Sequence, residues 1–173
     1  MSSLKAAVAA MQAQLKADPA SAQATFEVES RQVEGLKSET KIRQFTLTVD
    51  EPASLGGTDA GPNPVELVLG ALATCQEITY RAYAEALGIP LDRVSVKIEG
   101  DLDLRGFFAV KPGVRAGFNA VRGTVRLESS ASAAELARLK AIVDQHCPVL
   151  DILQAPVPVS LTLEAPGKSA AAD

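Results

Sequence analysis

Residues 61–90 read GPNPVELVLGALATCQEITYRAYAEALGIP, and they contain the clearest structural signals in the chain. Asn63 directly before Pro64 is typical of a helix start, because asparagine caps free backbone N–H groups and proline fits the first helical position. The apolar run that follows ends at Gly88 and Pro90, two residues that stop a helix. The sequence therefore predicts one long apolar helix from Pro64 up to Gly88.

On both sides of this helix the chain alternates apolar and polar residues, as strands with one wet face do. Ahead of the helix, two alternating segments are separated by a Glu34-Gly35 turn, which predicts an antiparallel hairpin or a three-strand meander. Behind it, two more segments predict a pair of strands, and a shorter segment predicts a last strand. The five segments are residues 26–28, 41–49, 93–104, 121–128 and 158–163.

Two further segments have the composition and caps of helices. Residues 3–16 are rich in Ala, Gln, Lys and Leu, and Asp18-Pro19 ends them. Residues 130–145 carry Ser132 three positions before Glu135, which is the spacing of a capping box. Helices mixed with alternating strands predict an α+β fold.

The length of 173 residues suits one hydrophobic core. We expect an appended N-terminal helix at residues 1–20, a single domain at 24–164 and a flexible tail at 165–173. A short helix is also expected over residues 149–154, just before the last strand.

The composition excludes several classes of protein. The chain has 17 basic and 21 acidic residues and 4% aromatic residues, so it lacks the basic surface and the stacking side chains that nucleic acid needs. No apolar stretch approaches the roughly 18 residues of a membrane helix, and the N-terminal apolar run is too short for a secretory signal. We therefore expect a cytoplasmic protein with no nucleic acid or membrane partner, whose two cysteines are reduced.

The segment between the two later strands, residues 105–120, holds Phe107, Phe108 and Phe118 beside three glycines. A loop of this length is uncommon unless it forms a lid, a pocket wall or a subunit contact. We expect the three phenylalanines to form the substrate-binding surface. The alternative is that they fold back onto the core.

Cys75 lies inside the long helical run, and two environments are open to it. On a straight helix it is a buried, inert thiol with a raised pKa. If the chain instead restarts after Gly70, Thr74 and Glu77 complete a capping box, and Cys75 lies at a helix N-terminus that favours the thiolate. The face that Cys75 shares on a straight helix consists of Leu67, Ala71, Ile78 and Ala82.

The order and spacing of three motifs resemble the OsmC/Ohr family of osmotically inducible and organic hydroperoxide resistance proteins. The motifs are GPNPVEL at 61–67, ALATC at 71–75 and HCP at 146–148, and the resemblance extends over residues 25–163. It implies an OsmC-like α+β fold of antiparallel sheets with a long central helix that carries the first cysteine. It also implies an intertwined homodimer with active sites at the subunit interface.

For activity, the resemblance implies thiol-dependent reduction of organic hydroperoxides. The Cys75 thiolate would attack the O–O bond and become a sulfenic acid, and Cys147 would trap it as a disulfide. A dithiol reductant, lipoyl-type or a small thiol, would then restore both thiols. The family also has an arginine from the first hairpin beside the thiolate, and we match Arg31 to it, with Arg43 as the second choice.

One position departs from the family pattern. The typical hydroperoxidases have a glutamate directly after the Asn-Pro pair, where this chain has Val65 followed by Glu66. On a straight helix, Glu66 and Cys75 lie on opposite faces, about 13.5 Å apart along the axis. Glu66 can therefore join the catalytic site only if the helix breaks, and otherwise it balances the helix dipole.

Two other functions stay open. Cys75, His146 and Asp144 are a minimal residue set for a cysteine hydrolase. A non-catalytic dimer that senses redox state, or binds an apolar ligand among the three phenylalanines, is the other alternative. We expect neither a metal nor a cofactor, because His146 is the sole histidine and no Cys-x-x-Cys pair occurs.

Overall fold

The computed structural model describes residues 3–164. Over this range the chain forms five α-helices, five strands and two short 3-10 helices, which confirms the predicted α+β class with antiparallel sheets. None of the helices in this range is long and apolar enough to cross a membrane. In chain order the elements are α1 (Ser3–Ala17), a 3-10 helix (Pro19–Ala22), β1 (Glu29–Glu34), β2 (Lys37–Ile42), β3 (Phe45–Val49), a 3-10 helix (Ala53–Leu55), α2 (Pro64–Leu87), β4 (Arg93–Leu102), α3 (Leu104–Phe107), β5 (Phe118–Glu128), α4 (Ala133–His146) and α5 (Pro148–Gln154).

Strands β1, β2 and β3 form an antiparallel meander. Gly35, with a φ of 52°, turns the chain from β1 into β2 at the predicted place. The prediction of a single strand over residues 41–49 is wrong, because the chain turns back at Arg43, whose φ is 55°, and Ile42 pairs with Phe45. The turn residues Arg43 and Gln44 are two consecutive polar residues that interrupt the alternation, and this interruption was the signal for the turn.

Strand β1 begins later than predicted. Phe26 and Val28 precede it, and the first paired residue is Glu29, opposite Lys41 on β2. The limits of a strand depend on where its pairing partner ends, and local alternation does not contain that information. Phe26 and Val28 are consequently 91% and 57% exposed in this chain.

Helix α2 has the predicted caps. The Asn63 side chain accepts a hydrogen bond from the Glu66 N–H at 2.9 Å, and the Glu66 carboxylate accepts one from the Asn63 N–H at 2.8 Å. At the other end, Gly88 has a left-handed φ of 69° and donates its N–H to the last turn. The 24 residues between these caps form one uninterrupted helix.

The α2 backbone has no second start near Cys75. The Thr74 hydroxyl donates back to the Gly70 carbonyl oxygen at 2.9 Å, as threonines inside helices do. Of the two alternatives for Cys75, the straight helix is therefore the one observed, and the restart after Gly70 does not occur. Cys75 therefore lies in the middle of α2 rather than at a helix N-terminus.

The buried face of α2 also differs from the predicted face. Ile78, which was expected to be buried with Cys75, is 69% exposed. The helix is apolar nearly all round, so its composition did not identify the side that meets the rest of the chain. Four of the residues that it buries recur every four positions, Leu72, Gln76, Tyr80 and Ala84, and the fifth is Thr79 beside Tyr80.

Strands β4 and β5 form a long antiparallel hairpin, and β4 packs against α2. β5 begins earlier than predicted, at Phe118, which pairs with Leu102 beyond an irregularity in β4. A Cβ atom at Gly100 would lie 2.6 Å from the Phe118 ring, so the close approach of this ring requires a glycine. Phe118 thus folds back onto the sheet.

Phe107 and Phe108 behave differently from Phe118. They belong to the short helix α3 and its end, and their rings meet edge to face with centroids 5.0 Å apart. They are 64% and 51% exposed, so the alternative of folding back onto the core does not hold for them.

The core lies between α2, the β4–β5 hairpin and α4. Helix α4 starts with the predicted capping box, in which the Ser132 hydroxyl accepts a hydrogen bond from the Glu135 N–H at 3.3 Å. The buried core cluster consists of Tyr80, Ala84, Ile89, Leu91, Leu139 and Val143.

Residues 155–164 follow α5 without forming a strand, so the predicted strand over 158–163 is wrong for the single chain. A strand needs a neighbour for its N–H and C=O groups, and none of the described strands pairs with this segment. Its alternating apolar side chains are exposed: Val157 by 51%, Val159 by 78%, Leu161 by 92% and Leu163 by 90%. The predicted tail at 165–173 lies outside the described residues.

Asp50 organises the loop between β3 and α2, and it is 1% exposed. Its carboxylate accepts hydrogen bonds from the Thr58 hydroxyl at 2.6 Å and the Thr58 N–H at 2.9 Å, and from the Ala60 and Glu51 N–H groups at 3.2 and 2.8 Å. The bond from the Thr58 hydroxyl is the largest cause of the low pKa of Asp50, which is about 2.

We predict that Asp50→Asn lowers the melting temperature by several degrees at pH 7, because an amide group cannot accept all these hydrogen bonds. A carboxylate with a lowered pKa stabilises the fold above its unfolded-state pKa of about 3.9, and this stabilisation is lost as the pH falls towards 2. The difference between variant and parent should therefore close between about pH 4 and pH 2.

Thermal unfolding followed by circular dichroism across this pH range measures the effect. The control is Asp92→Asn, since Asp92 is exposed and its substitution should leave the melting temperature unchanged. A difference between Asp50→Asn and the parent that persists unchanged down to pH 2 would contradict the assignment.

Candidate functional site

Cys75 and Cys147 are 72 residues apart in the chain and lie side by side in the fold. Cys75 is partly buried in the middle of α2, and Cys147 is 0% exposed between α4 and α5. Their Sγ atoms are 3.3 Å apart, with the Cys147 thiol donating to the Cys75 sulfur. Both thiols are free. Packing therefore brings together the two residues that the sequence put forward as redox partners.

Hydrogen bonds hold the junction that carries Cys147. Its N–H donates to the Val143 carbonyl oxygen at 2.9 Å and closes α4, while its own carbonyl accepts from the Asp151 N–H at 3.0 Å and opens α5. Pro148 is the first residue of α5, a position where a missing N–H costs nothing. The Cys147 sulfur is thereby fixed against α2.

Burial is the largest influence on the Cys75 thiol, and it raises the pKa because a thiolate is poorly solvated there. A hydrogen bond from the Val149 backbone N–H acts in the opposite direction and lowers this pKa. The Cys147 thiol raises it further, and the Thr79 hydroxyl lowers it. The net effect is a rise in the pKa of Cys75, so the surroundings of this thiol in the single chain disfavour the nucleophilic thiolate.

Two thiols at this separation can form a disulfide with little movement. The S–S bond length is about 2.05 Å, so the two sulfurs need to approach by roughly 1.3 Å. The arrangement supports reversible two-electron exchange between a dithiol and a disulfide. Within residues 3–164, no group of three or more His, Cys, Asp or Glu side chains is placed to hold a metal ion.

The two candidate arginines lie on the three-stranded sheet. Arg31 is 75% exposed and forms an ion pair with Glu39 on the neighbouring strand at 2.7 Å. Arg43 is at the turn between β2 and β3, with its guanidinium 5.3 Å from the centroid of the Phe45 ring. In the described part of the chain, no hydrogen bond joins either arginine to Cys75.

Glu66 is part of the capping box at the start of α2. Because α2 is unbroken, Glu66 and Cys75 remain on opposite faces, about 13.5 Å apart along the axis. Within the single chain, Glu66 therefore stabilises the helix start and does not reach the thiol pair.

The residues proposed for a cysteine hydrolase are not joined to one another. The His146 ring stacks on Tyr83, with centroids 5.3 Å apart and planes inclined by 21°. Asp144 forms an ion pair with Lys140 on the same helix. Over residues 3–164, no hydrogen bond links His146 to Cys75, so the base that a hydrolase requires is not in place.

A cavity of about 820 Å³ lies between α2, the β4–β5 hairpin, α4 and α5. This volume is within the range of small-molecule sites. Phe118 lines the cavity, whereas Phe107 and Phe108 do not, so the three phenylalanines do not form one surface. Cys75 and Cys147 are also absent from its walls, although Gln76, the next residue after Cys75, is part of them.

Gln76 is a residue that the sequence reasoning missed. It is 5% exposed, and its side-chain Nε2 has no hydrogen-bond partner among the described residues. The sequence did contain a sign that Gln76 is unusual. It is a polar residue four positions from both Leu72 and Tyr80, on an otherwise apolar helix face.

Comparisons with known proteins lead to the same family. A family model described as OsmC-like protein matches residues 57–162, which is more than half of the chain. An OsmC-like protein from Mycoplasma pneumoniae is similar with a TM-score of 0.67 at 20% identity, over 78% of this chain and 90% of that one. An organic hydroperoxide resistance protein OsmC from Legionella pneumophila has a TM-score of 0.59 at 22% identity, over 77% and 93%. A search of curated protein sequences finds no match.

A third solved structure agrees with these two. The organic hydroperoxide resistance protein from Elizabethkingia anophelis has a TM-score of 0.59 at 17% identity, over 78% of this chain and 92% of that one. At such identities the likeness establishes the fold. The family model itself spans α2, the β4–β5 hairpin, α4 and α5, and therefore both cysteines. The chain belongs to the OsmC-like protein family.

Proposed function

We propose that this protein reduces organic hydroperoxides through the Cys75–Cys147 pair. The observation that carries the proposal is the 3.3 Å separation of the two free Sγ atoms, one partly exposed and the other fully buried. Similarity to organic hydroperoxide resistance proteins supports the choice of substrate class.

In the proposed reaction, the Cys75 thiolate attacks one oxygen of the peroxide ROOH. The O–O bond breaks, Cys75 becomes a sulfenic acid, and the other oxygen leaves with a proton as the alcohol ROH. The Cys147 sulfur then attacks the Cys75 sulfur, forming the disulfide and releasing water. A dithiol reductant returns both cysteines to thiols by exchange and leaves as its own disulfide.

Thiol titration with one equivalent of cumene hydroperoxide tests this reaction. The expected result is rapid loss of two thiols per chain, with recovery of both on addition of a dithiol such as dihydrolipoamide. If both thiols survive equimolar peroxide, the peroxidase proposal is wrong.

The raised pKa of Cys75 and Val65 in the usual glutamate position favour a second candidate, a dimer that senses redox state without turnover. The two functions differ in steady-state behaviour. A peroxidase consumes many equivalents of cumene hydroperoxide when dihydrolipoamide is present in excess. A sensor forms the disulfide once and returns slowly to the dithiol.

We also propose that the protein is a homodimer. Apolar side chains stay exposed on three elements of the single chain: on the face of α2 near Cys75, on the three-stranded sheet, and along residues 157–163. Exposed apolar side chains grouped on neighbouring elements are typical of a protein–protein contact, and a second copy would cover them. The most exposed of these side chains are Ile78, Phe45, Val159, Leu161 and Leu163.

In this dimer we propose that Arg31 of one subunit lies beside Cys75 of the other. A guanidinium there would lower the pKa of Cys75, against the rise that burial produces in the single chain. It would also stabilise the negative charge that develops on the leaving oxygen.

We predict that Arg31→Gln slows the reaction of Cys75 with cumene hydroperoxide at pH 7 on the order of 10- to 100-fold, because less of the thiol is ionised. The midpoint of the pH–rate profile should move to higher pH. Above that midpoint the difference from the parent should narrow but remain, because the leaving oxygen has lost its stabilising charge. Stopped-flow measurement of thiol loss from pH 5 to pH 10 gives both values.

Arg43→Gln is the matched control, since it removes the same charge from the same sheet. It should leave the profile unchanged. A shift in Arg43→Gln and none in Arg31→Gln would reverse the assignment, and identical profiles in all three proteins would mean that neither arginine acts on the thiol.

A further inference from the structure

The large cavity beside α2 is separate from the thiol pair. Its walls come from three helices and the hairpin, and neither cysteine belongs to them. A molecule bound there would not need to touch either sulfur. The apolar part of the wall consists of Leu72, Ile98, Val125, Leu127, Leu136 and Leu150.

Gln76 gives this apolar cavity a polar side chain whose amide nitrogen is unpaired within the described part of the chain. Its Nε2 is buried and has no hydrogen-bond partner among residues 3–164, while the residue itself is 5% exposed. Buried donors without a partner are rare in native proteins because leaving one unpaired is costly. Because Gln76 is part of the cavity wall, a change of its side-chain rotamer would bring this donor to an oxygen atom of a bound molecule.

The charged side chains around the cavity indicate whether the bound molecule is positively or negatively charged. Lys140 and Asp144 both line the wall and neutralise each other in an ion pair, and Arg122 is paired with Asp101. Arg115 also lines the wall, and it forms no ion pair with any residue in the described range. The cavity is therefore left with one unneutralised positive charge, although the chain as a whole has a net charge of -4.

We propose that this cavity is a binding site for an amphipathic carboxylic acid, such as a fatty acid. The hydrocarbon part lies against the apolar wall, an oxygen atom accepts the hydrogen bond from Gln76 Nε2, and Arg115 attracts the negative charge. The site works without either thiol, so it does not depend on the peroxidase reaction.

Calorimetric titration of the purified protein with dodecanoate tests the site. We expect saturable binding to the parent and equal affinity in the double variant Cys75→Ser/Cys147→Ser. Dodecyltrimethylammonium, which has the same chain length and the opposite charge, should bind at least about tenfold more weakly. Failure of the peroxidase proposal would leave these results unchanged.

Two variants test the named residues. Gln76→Leu should weaken dodecanoate binding about tenfold or more, because the hydrogen bond is lost. Arg115→Gln should weaken it several-fold and remove its dependence on salt concentration. The matched control is Arg126→Gln, since Arg126 is on β5 but outside the cavity wall, and it should bind dodecanoate as the parent does.

The melting temperature of the ligand-free protein separates a binding role from a structural one. If Nε2 is unpaired in the ligand-free protein, Gln76→Leu removes an unpaired buried donor and raises the melting temperature. If Nε2 is instead satisfied by a second copy of the chain, the same change lowers it. The proposal is overturned by that lowering, by absence of dodecanoate binding to the parent, or by full affinity in Gln76→Leu.

Discussion

In the Cys75→Ser variant, one equivalent of cumene hydroperoxide is expected to oxidise no thiol, and peroxide consumption should slow at least about 10³-fold. The reason is the difference in burial between the two sulfurs. Cys147 is 0% exposed, so peroxide in solution does not reach it, whereas Cys75 is partly exposed. A serine hydroxyl at position 75 does not ionise at neutral pH and does not displace an alkoxide. Peroxide consumption and thiol titration under denaturing conditions measure the two effects.

Cys147→Ser is the matched control, because it makes the same atomic change at the partner sulfur. This variant should react with the first equivalent at nearly the parental rate, lose one thiol per chain and stop. The sulfenic acid should then accumulate at Cys75, where a dimedone adduct found by mass spectrometry reports it. If Cys147→Ser is inert and Cys75→Ser still reacts, the roles of the two cysteines are reversed.

In the Leu161→Asp variant, the proposed homodimer is expected to dissociate, with the dimer dissociation constant rising on the order of 10²-fold or more. Leu161 is 92% exposed in the single chain and lies in a segment that alternates apolar and polar residues without a partner strand. Pairing with a second copy would bury this side chain, and a carboxylate in its place would lose that burial and be desolvated. Sedimentation velocity at micromolar concentration distinguishes the two states.

Thr162→Asp adds the same charge to the same segment with the opposite side-chain direction, since neighbouring residues of a strand point to opposite faces. It should leave the dimer intact. If the parent sediments as a single chain, the homodimer proposal fails. Dissociation of both variants would mean that the segment does not bury one face as a strand.

Local chemistry was enough to predict the ends of the helices that carry the site. The capping boxes at Asn63 and Ser132 and the left-handed Gly88 are satisfied by residues no more than four positions away. Such short-range hydrogen bonds form whatever lies around the helix. The same holds for the turn at Gly35, and for these reasons the bounds of α2 and α4 followed closely from the sequence.

Predictions of strands, which depend on a neighbouring strand, were less successful. The segment at 158–163 has the alternation of a strand and forms none, because a strand requires a neighbour and the described chain has none beside it. Residues 41–49 were predicted as one strand although Arg43 and Gln44 interrupt the alternation, and the pairing of Ile42 with Phe45 shows that the chain turns there. Alternation reports the two faces of a strand and carries no information about its neighbour.

For the site, the amino-acid sequence was enough to identify the two thiols, their order and the long helical segment that carries Cys75. It left open whether this segment breaks after Gly70, and the unbroken α2 of the structure keeps Glu66 away from Cys75. Tertiary structure alone decided that the Cys75 and Cys147 sulfurs lie 3.3 Å apart, that Ile78 faces outward, and that Gln76 lines a cavity with its amide nitrogen unpaired. The difference lies in how far apart in the sequence the interacting residues are. Caps and turns are settled by hydrogen bonds within a few residues, whereas a contact across 72 residues depends on which face of α2 meets α4 and α5.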